Sequence, residues 1–310
     1  MTVSLRLLFL VYVLAAGGVA RGQTAMCRVP EHYLNVEIHR GVDPLLLNSD
    51  DVRQILEGVN NVFREGCKNG GQLQAGFACG SSTGCGCLRK VKVKSVGTAG
   101  WSIKSILGDA KWKDVETLEK GGKYTTEMIR ALFALGNARA ARTANSATIF
   151  VVPQILASGD STKPKSEVPL GIATIGGTST VGHTAILSFA NSLPPVERQS
   201  TATGTSEEMS EKRNSWMAAQ VSLWAHEIGH LLGLRDQLIR YKCQDSTIIE
   251  SDILVSSALM GGRFHADARN ILVPECDIMK GRDGCKYAEF LQALTKTREA
   301  TLPQGCIVVR

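Results

Sequence analysis

Residues 226–236 read HEIGHLLGLRD, and this short segment indicates both the fold and the chemistry of the chain. If the segment is helical, His226 and His230 lie one turn apart on the same face, so both imidazoles can reach a single metal ion. Glu227 lies beside them, close enough to accept a proton from a water on that ion. The first half of the segment therefore predicts a metal site with its own general base.

The second half of the segment predicts a third ligand. Gly233 allows the chain to leave the helix sharply, because glycine adopts the left-handed conformation that ends many helices. The chain can then bring the carboxylate of Asp236 back to the same ion. Three protein ligands and one water are typical of a catalytic zinc site. We therefore predict one catalytic Zn²⁺ held by His226, His230 and Asp236.

The residues around the motif argue against a solvated surface helix. The segment is apolar nearly all round, which is typical of a buried helix. Two imidazoles and a carboxylate are costly to bury without partners, and a metal ion satisfies them. The apolar positions are Met217, Ala218, Ala219, Val221, Leu223, Trp224, Ala225, Ile228, Leu231 and Leu232.

The N-terminal residues have the pattern of a secretion signal. Arg6 precedes an apolar run from Leu7 to Ala16, and small residues follow as far as Gly22. We expect residues 1–22 to be a signal peptide and the protein to be secreted; an uncleaved N-terminal anchor is the alternative. No other stretch is long and apolar enough to cross a bilayer, so we expect no stable membrane span after cleavage.

Residues 23–310 are long enough for a single catalytic domain, with an N-terminal lobe over about 30–233 and a C-terminal lobe over about 234–310. The order of the predicted strands and helices indicates an α+β fold, in which a twisted mixed sheet backs the ligand helix and the smaller C-terminal lobe is irregular or helical. A loop is predicted over 194–214. The predicted strands are Tyr33–Ile38, Leu88–Val96, Ala147–Val152, Gly171–Ile175 and Thr184–Phe189, and the predicted helices are Ser49–Glu65 and Thr125–Ala141.

The charge pattern gives no sign of a nucleic-acid partner. The formal net charge is +6, and it becomes +4 when Arg6 and Arg21 leave with the signal peptide. Lysines alternate with valines near residue 90, which indicates a strand with one solvated basic face. Nucleic-acid binding favours a broad basic patch with aromatic residues, and aromatic residues make up only 5% of the chain. We expect a monomer without a nucleic-acid partner.

Nine cysteines follow the signal segment, and in a secreted protein they are expected to form disulfides. The four that follow the motif allow three connectivities, of which we expect Cys243–Cys276 and Cys285–Cys306. The cluster at Cys79, Cys85 and Cys87 lacks the paired spacing of a zinc knuckle, which favours a disulfide-pinned loop.

The motif resembles that of the metzincin clan of zinc peptidases, in which His-Glu-x-x-His-x-x-Gly-x-x-His is followed by a methionine turn. Residues 257–262, SALMGG, look like that turn in its matrix metalloproteinase version. The resemblance implies a zinc endopeptidase, which acts on protein or peptide substrates. It implies that Met260 forms a hydrophobic support under the ligands and that Glu227 is the general base. It also implies that Gly171–Ala173 belongs to an edge strand that aligns extended substrate.

The chain departs from the usual metzincin pattern at the third ligand, where Asp236 replaces histidine. The snapalysins show this variant. Two neutral imidazoles and one carboxylate leave a zinc site at +1 rather than +2, so the water is acidified less and Glu227 carries more of the work as base.

Two other interpretations of the motif stay open. Glu250 lies twenty residues after His230, where thermolysin-like zinc peptidases take a third ligand from a second helix. A non-catalytic binding module on the same fold is the competing class, although an intact Glu227 argues against it. Cys27 lies in a short likeness to the propeptide cysteine that blocks zinc in matrix metalloproteinases; a disulfide from Cys27 is the favoured interpretation.

Overall fold

The structure is a computed structural model, and it describes residues 31–69, 90–140, 142, 145–156, 170–176, 182–189, 206–243, 248–252, 259–261, 271, 275, 278–279 and 287–309. The predicted signal peptide, Cys27 and the cysteine cluster near residue 80 lie outside these residues. The strands are β1 (Glu31–Ile38), β2 (Lys90–Thr98), β3 (Lys123–Tyr124), β4 (Ser146–Val152), β5 (Gln154–Ile155), β6 (Gly171–Ala173), β7 (Thr184–Ser188), β8 (Leu238–Lys242), β9 (Ile248–Asp252) and β10 (Ile307–Val308). The helices are α1 (Ser49–Asn69), α2 (Lys104–Leu107), α3 (Asp109–Lys120), α4 (Thr126–Ala140), α5 (Ser206–Leu231) and α6 (Tyr287–Glu299).

A five-stranded sheet forms the centre of the fold, in the order β2-β1-β4-β7-β6. The first four strands are parallel, and β6 runs antiparallel to β7 at the edge. The predicted mixed sheet is confirmed, and so is the placement of Gly171–Ala173 in its edge strand.

The two central strands are buried on both faces. Strand β4 reads SATIFVV and is buried throughout, as is β7. A continuous apolar run of this kind is typical of a parallel strand covered on both sides. Ile149 and Val151 belong to the core shared with α1 and α5, whereas Phe150 and Val152 belong to a second core with α4. Helices therefore cover both faces of the sheet.

Helix α5 carries the motif and packs against α1 and the strands β6 and β7. Its approach to α1 depends on Gly58, where a Cβ atom would lie 2.5 Å from Cγ2 of Val221. A separation that short leaves no room for a side chain at residue 58. The backbone of α1 at Gly58 therefore packs directly against the side chain of Val221 in α5. The burial of the motif helix against the sheet, predicted from its apolar sequence, is confirmed.

Helix α5 also begins earlier than predicted. The sequence predicts a loop over 194–214, but residues 206–214 are helical. This part of the helix is rich in glutamate, lysine, arginine and methionine, all of which favour helix. Its polar character reflects solvent exposure, since Glu211, Arg213, Asn214 and Ser215 are exposed, and Trp216 is the first residue of this helix that is described as buried.

The C-terminal part of the chain contains a second sheet that the sequence did not predict. Strands β10, β8 and β9 form a three-stranded antiparallel sheet, with α6 between β9 and β10 in the chain. The expected irregular or helical lobe is therefore corrected. Among the helices that the structure describes, none combines the length and the apolar character needed to cross a bilayer.

One disulfide is described, and it corrects the predicted pairing. Cys243 is bonded to Cys306 rather than to Cys276, and this also excludes the predicted Cys285–Cys306 bridge. The physical reason is the pairing of β10 with β8, which places Ile307 opposite Lys242 and so brings the adjacent cysteines together. Cys276 and Cys285 lie outside the described residues.

Candidate metal centre

The end of helix α5 turns the chain back toward the motif. Gly233 has a φ of +100°, the left-handed region that glycine adopts without a Cβ clash. The amide of Leu234 donates to the carbonyl of Gly229 at 2.9 Å, and the amide of Gly233 donates to that of His230 at 2.9 Å. These two bonds define a Schellman motif, the turn that the sequence predicted from Gly233.

The turn brings the three predicted ligands together. Oδ1 of Asp236 lies 3.2 Å from Nε2 of His226 and 3.4 Å from Nε2 of His230. The three donor atoms all lie within 4.8 Å of one another, and they form a cluster of metal-binding type among the described residues. Both histidine rings meet edge to face, with centroids 4.8 Å apart.

The opposite nitrogen of each imidazole is fixed by a backbone carbonyl. Nδ1 of His226 lies 2.8 Å from the carbonyl oxygen of Leu259, and Nδ1 of His230 lies 2.9 Å from that of Leu234. A carbonyl only accepts hydrogen bonds, so each Nδ1 carries a proton. In the neutral rings, the lone pair is then on Nε2 and points to the shared centre, as in a metal-ligating histidine.

The electrostatics of the cluster favour a positive charge at its centre. Burial opposes the charged form of His226, but its hydrogen bond to Asp236 and the nearby carboxylates outweigh burial and raise the pKa of His226 to about 9. Burial likewise opposes the charged form of Asp236, and hydrogen bonds from both histidines hold its pKa well below the usual range. The carboxylates of Asp236 and Glu227 therefore favour a positive charge next to them.

Glu227 is placed beside this cluster in a dry position. It is 4% exposed, and Oε2 has no hydrogen-bond partner among the described residues. Burial raises the pKa of Glu227, and the imidazoles of His226 and His230 lower it in part. A buried carboxylate with an unused oxygen needs a partner, because an unpaired buried oxygen is costly.

The edge strand closes over Glu227. A Cβ atom at Gly171 would lie 2.6 Å from Cδ of Glu227, so a side chain there would force the carboxylate or the strand to shift. Glu227 therefore lies between helix α5 and strand β6. The family resemblance predicts Gly171 in an edge strand, but nothing local to residue 171 indicates that it faces Glu227.

Met260 lies against helix α5. It is fully buried, and a Cβ at Gly229 would lie 2.9 Å from its sulfur, so the thioether packs on the helix between the two histidines. The carbonyl of Met260 accepts a bond from the amide of Gln237 at 2.7 Å. The Met260 segment thus contacts both the helix and the chain after Asp236.

Glu250 does not occupy the setting that the thermolysin-like interpretation requires. That interpretation needs a second helix, and Glu250 lies instead in strand β9, in register with Arg240 of β8. The donor cluster found among the described residues comprises His226, His230 and Asp236.

Two further residues at the centre were missed by the sequence analysis. The hydroxyl of Tyr287 contacts the backbone of Arg235, and Glu275 accepts a hydrogen bond from Nε2 of Gln237 at 2.5 Å. Arg235 and Gln237 flank Asp236. Both contacts join residues about forty or more positions apart, and no spacing rule indicates them.

No protein-family model matches the chain, and neither does any curated protein. Among solved structures, the chain is similar to archaemetzincin from Methanopyrus kandleri, with 17% identity and a TM-score of 0.38 over 87% of this chain and 98% of that one. It is similar to a zinc-dependent peptidase from Methanocorpusculum labreanum, with 13% identity and a TM-score of 0.39 over 80% of this chain and 99% of that one. It is also similar to metalloproteinase-II from Bacteroides fragilis, with 14% identity and a TM-score of 0.37 over 81% of this chain and 51% of that one.

Proposed function

We propose that the chain is a secreted zinc-dependent endopeptidase of metzincin type, and one observation carries the proposal. The two Nε2 atoms lie 3.2 and 3.4 Å from Oδ1 of Asp236. A tetrahedral zinc ion with bonds of about 2.0–2.1 Å separates neighbouring ligand atoms by roughly 3.3 Å. The donor chemistry and these two separations therefore fit zinc, and His226, His230 and Asp236 would hold the ion with one position left for water or substrate.

When bound, zinc supplies Lewis-acid chemistry to a carbonyl and to water. Glu227 performs the proton transfers: its carboxylate accepts a proton from the attacking water and returns it to the departing amine. Burial raises the pKa of Glu227, which makes the protonated form easier to reach between the two transfers. We assign the first transfer to Oε2, which has no hydrogen-bond partner among the described residues.

Strand β6 supports the assignment of a peptide substrate. It pairs with β7 on one side, and no described strand pairs with its other side. An extended peptide can bind along such an edge through backbone hydrogen bonds. Because Gly171 of β6 contacts Glu227, a peptide on this edge lies next to the proposed base.

Secretion is proposed from the N-terminal residues 1–22 and from the cysteine content. A described disulfide, Cys243–Cys306, suits an oxidising compartment. Secretion is tested by expressing the full chain with a C-terminal tag and sequencing the N-terminus of tagged protein from the medium. A mature chain that starts near residue 23 is expected; tagged protein confined to cell extracts would contradict secretion.

The mechanism is tested with Glu227→Gln. The variant is expected to keep one zinc per chain and to lose at least 10²-fold in peptide hydrolysis, as expected for removal of a general base. Glu211→Gln is the matched control, because Glu211 lies on the same helix and is exposed. Unchanged hydrolysis in Glu227→Gln would refute the mechanism, and oxidised wild-type protein that binds no zinc would refute the metal assignment.

A further inference from the structure

The three proposed ligands are held by different means. His226 and His230 belong to helix α5, and each ring is fixed by a second hydrogen bond. Asp236 lies beyond the helix in a segment without regular secondary structure, and its side chain is 42% exposed. The position of its carboxylate therefore depends on what holds the backbone on either side of it.

Tyr287 holds the residue before Asp236. Its hydroxyl accepts a hydrogen bond from the amide of Arg235 at 3.1 Å and donates one to the carbonyl of Arg235 at 3.3 Å. The second bond is made to the peptide group that joins Arg235 to Asp236. A single hydroxyl therefore connects the peptide groups on both sides of Arg235, which restricts rotation immediately before the ligand.

The hydroxyl is itself well fixed. Tyr287 is 4% exposed and is the first residue of helix α6. Its ring stacks on Phe290, with centroids 6.3 Å apart and planes at 20°. Burial raises the pKa of Tyr287, so the hydroxyl keeps the proton that it donates to Arg235.

A second contact holds the residue after Asp236. Gln237 is fully buried, its amide donates to the carbonyl of Met260 at 2.7 Å, and its side chain donates to Glu275 at 2.5 Å. Asp236 is thus fixed on both sides, by the Tyr287 hydroxyl before it and by the Gln237 contacts after it.

We propose that Tyr287 is a positioning residue, whose hydroxyl sets the carboxylate of Asp236 at the place where the metal binds. This role rests on the proposed zinc site. It predicts that tight zinc binding requires the Tyr287 hydroxyl in addition to the three ligands. A group that orients a ligand typically changes metal affinity by about 10- to 100-fold when it is removed. The hydroxyl of Tyr287 is expected to act within that range.

The test compares Tyr287→Phe with Tyr124→Phe. Each change removes one hydroxyl from a buried ring. Tyr124 lies in the second core, on the face of the sheet opposite helix α5. Zinc affinity is measured by competition with a chromophoric chelator, and the geometry of the site is followed by the absorption spectrum of the Co²⁺ form. Tyr287→Phe should bind zinc about 10- to 100-fold more weakly and change the Co²⁺ spectrum, and Tyr124→Phe should do neither.

One further variant separates loss of the hydroxyl from loss of packing. Phe290→Leu removes the stacking partner and keeps the hydroxyl, so it should lower the thermal midpoint of the metal-free protein with a smaller loss of zinc affinity. An equal loss of affinity in Phe290→Leu and Tyr287→Phe would assign the effect to packing and overturn the proposal. If Tyr287→Phe destabilises the fold, comparing its zinc affinity with that of Phe290→Leu still separates loss of the hydroxyl from loss of packing.

Asp236→Ala separates this inference from the proposed function. If Asp236→Ala loses tight zinc binding while Tyr287→Phe retains wild-type affinity and spectrum, the positioning role is refuted and the zinc site stands. If Asp236→Ala itself binds zinc as tightly as the wild type, the proposed ligand set is refuted.

Discussion

Replacing Gly171 by alanine should disable the proposed base without disturbing the metal. An added Cβ would lie 2.6 Å from Cδ of Glu227, whereas ordinary contacts are 3.4–4 Å. The carboxylate or strand β6 must then move by roughly 1 Å, and a misplacement of about that size can cost 10²-fold in rate. Gly171→Ala is therefore expected to lower kcat/KM by about 10²-fold with zinc content unchanged.

The assay for Gly171→Ala is hydrolysis of a quenched fluorescent peptide, with zinc content measured on the same sample. Gly97→Ala is the matched control: it lies in β2 of the same sheet, and its Cβ would meet nothing within 4 Å. Its kcat/KM should equal that of the wild type. If Gly171→Ala retains wild-type kcat/KM, the contact between strand β6 and Glu227 does not position the base.

Three further predictions concern the metal, the pH and the disulfide. Asp236→Ala should lose zinc measured by elemental analysis and Glu250→Ala should keep it; the reverse result would restore the thermolysin-like ligand set. Because the pKa of His226 is raised from 6.5 to about 9 in the metal-free fold, its contribution to stability is present below pH 6.5 and lost as the pH rises through 9. The free energy of unfolding of chelator-treated protein, measured in urea, should fall over that interval, and a rise would contradict the assigned cause. Replacing Cys243 and Cys306 together by serine should lower the free energy of unfolding by roughly 4 kcal/mol for a loop of 63 residues, against no change for a surface serine substitution.

The motif region could be predicted from the sequence because its information is local. Helical spacing places His226 and His230 on one face, and Gly233 alone indicates the sharp turn that brings Asp236 back. The structure places these three side chains together, and their role as zinc ligands stays a prediction. Strands β4 and β7 could also be predicted from the sequence, since continuous apolar runs indicate buried parallel strands.

The remaining features of the site depend on contacts between distant segments. The Cys243–Cys306 bridge follows from the pairing of β8 with β10, and β10 is only two residues long. The carboxylate that faces Gly171 and the backbone that bonds to Tyr287 are known only once the fold is known. The helical start of α5 was missed for another reason: a polar segment without apolar periodicity looks like a loop, although its residues favour helix.

The dependence of Asp236 on Tyr287 has a consequence for biosynthesis. On the ribosome, His226 and His230 are made about sixty residues before Tyr287, and Cys306 follows later still. An emerging chain thus presents two ligands on a helix long before the third has its support. Ribosome-arrested chains that end before Tyr287 should accordingly bind zinc more weakly than chains released at full length, as measured by chelator competition. The proposed hydrolytic centre would then mature late, after nearly the whole polypeptide has been translated, and its neighbours on the ribosome would be exposed to it for only a short time.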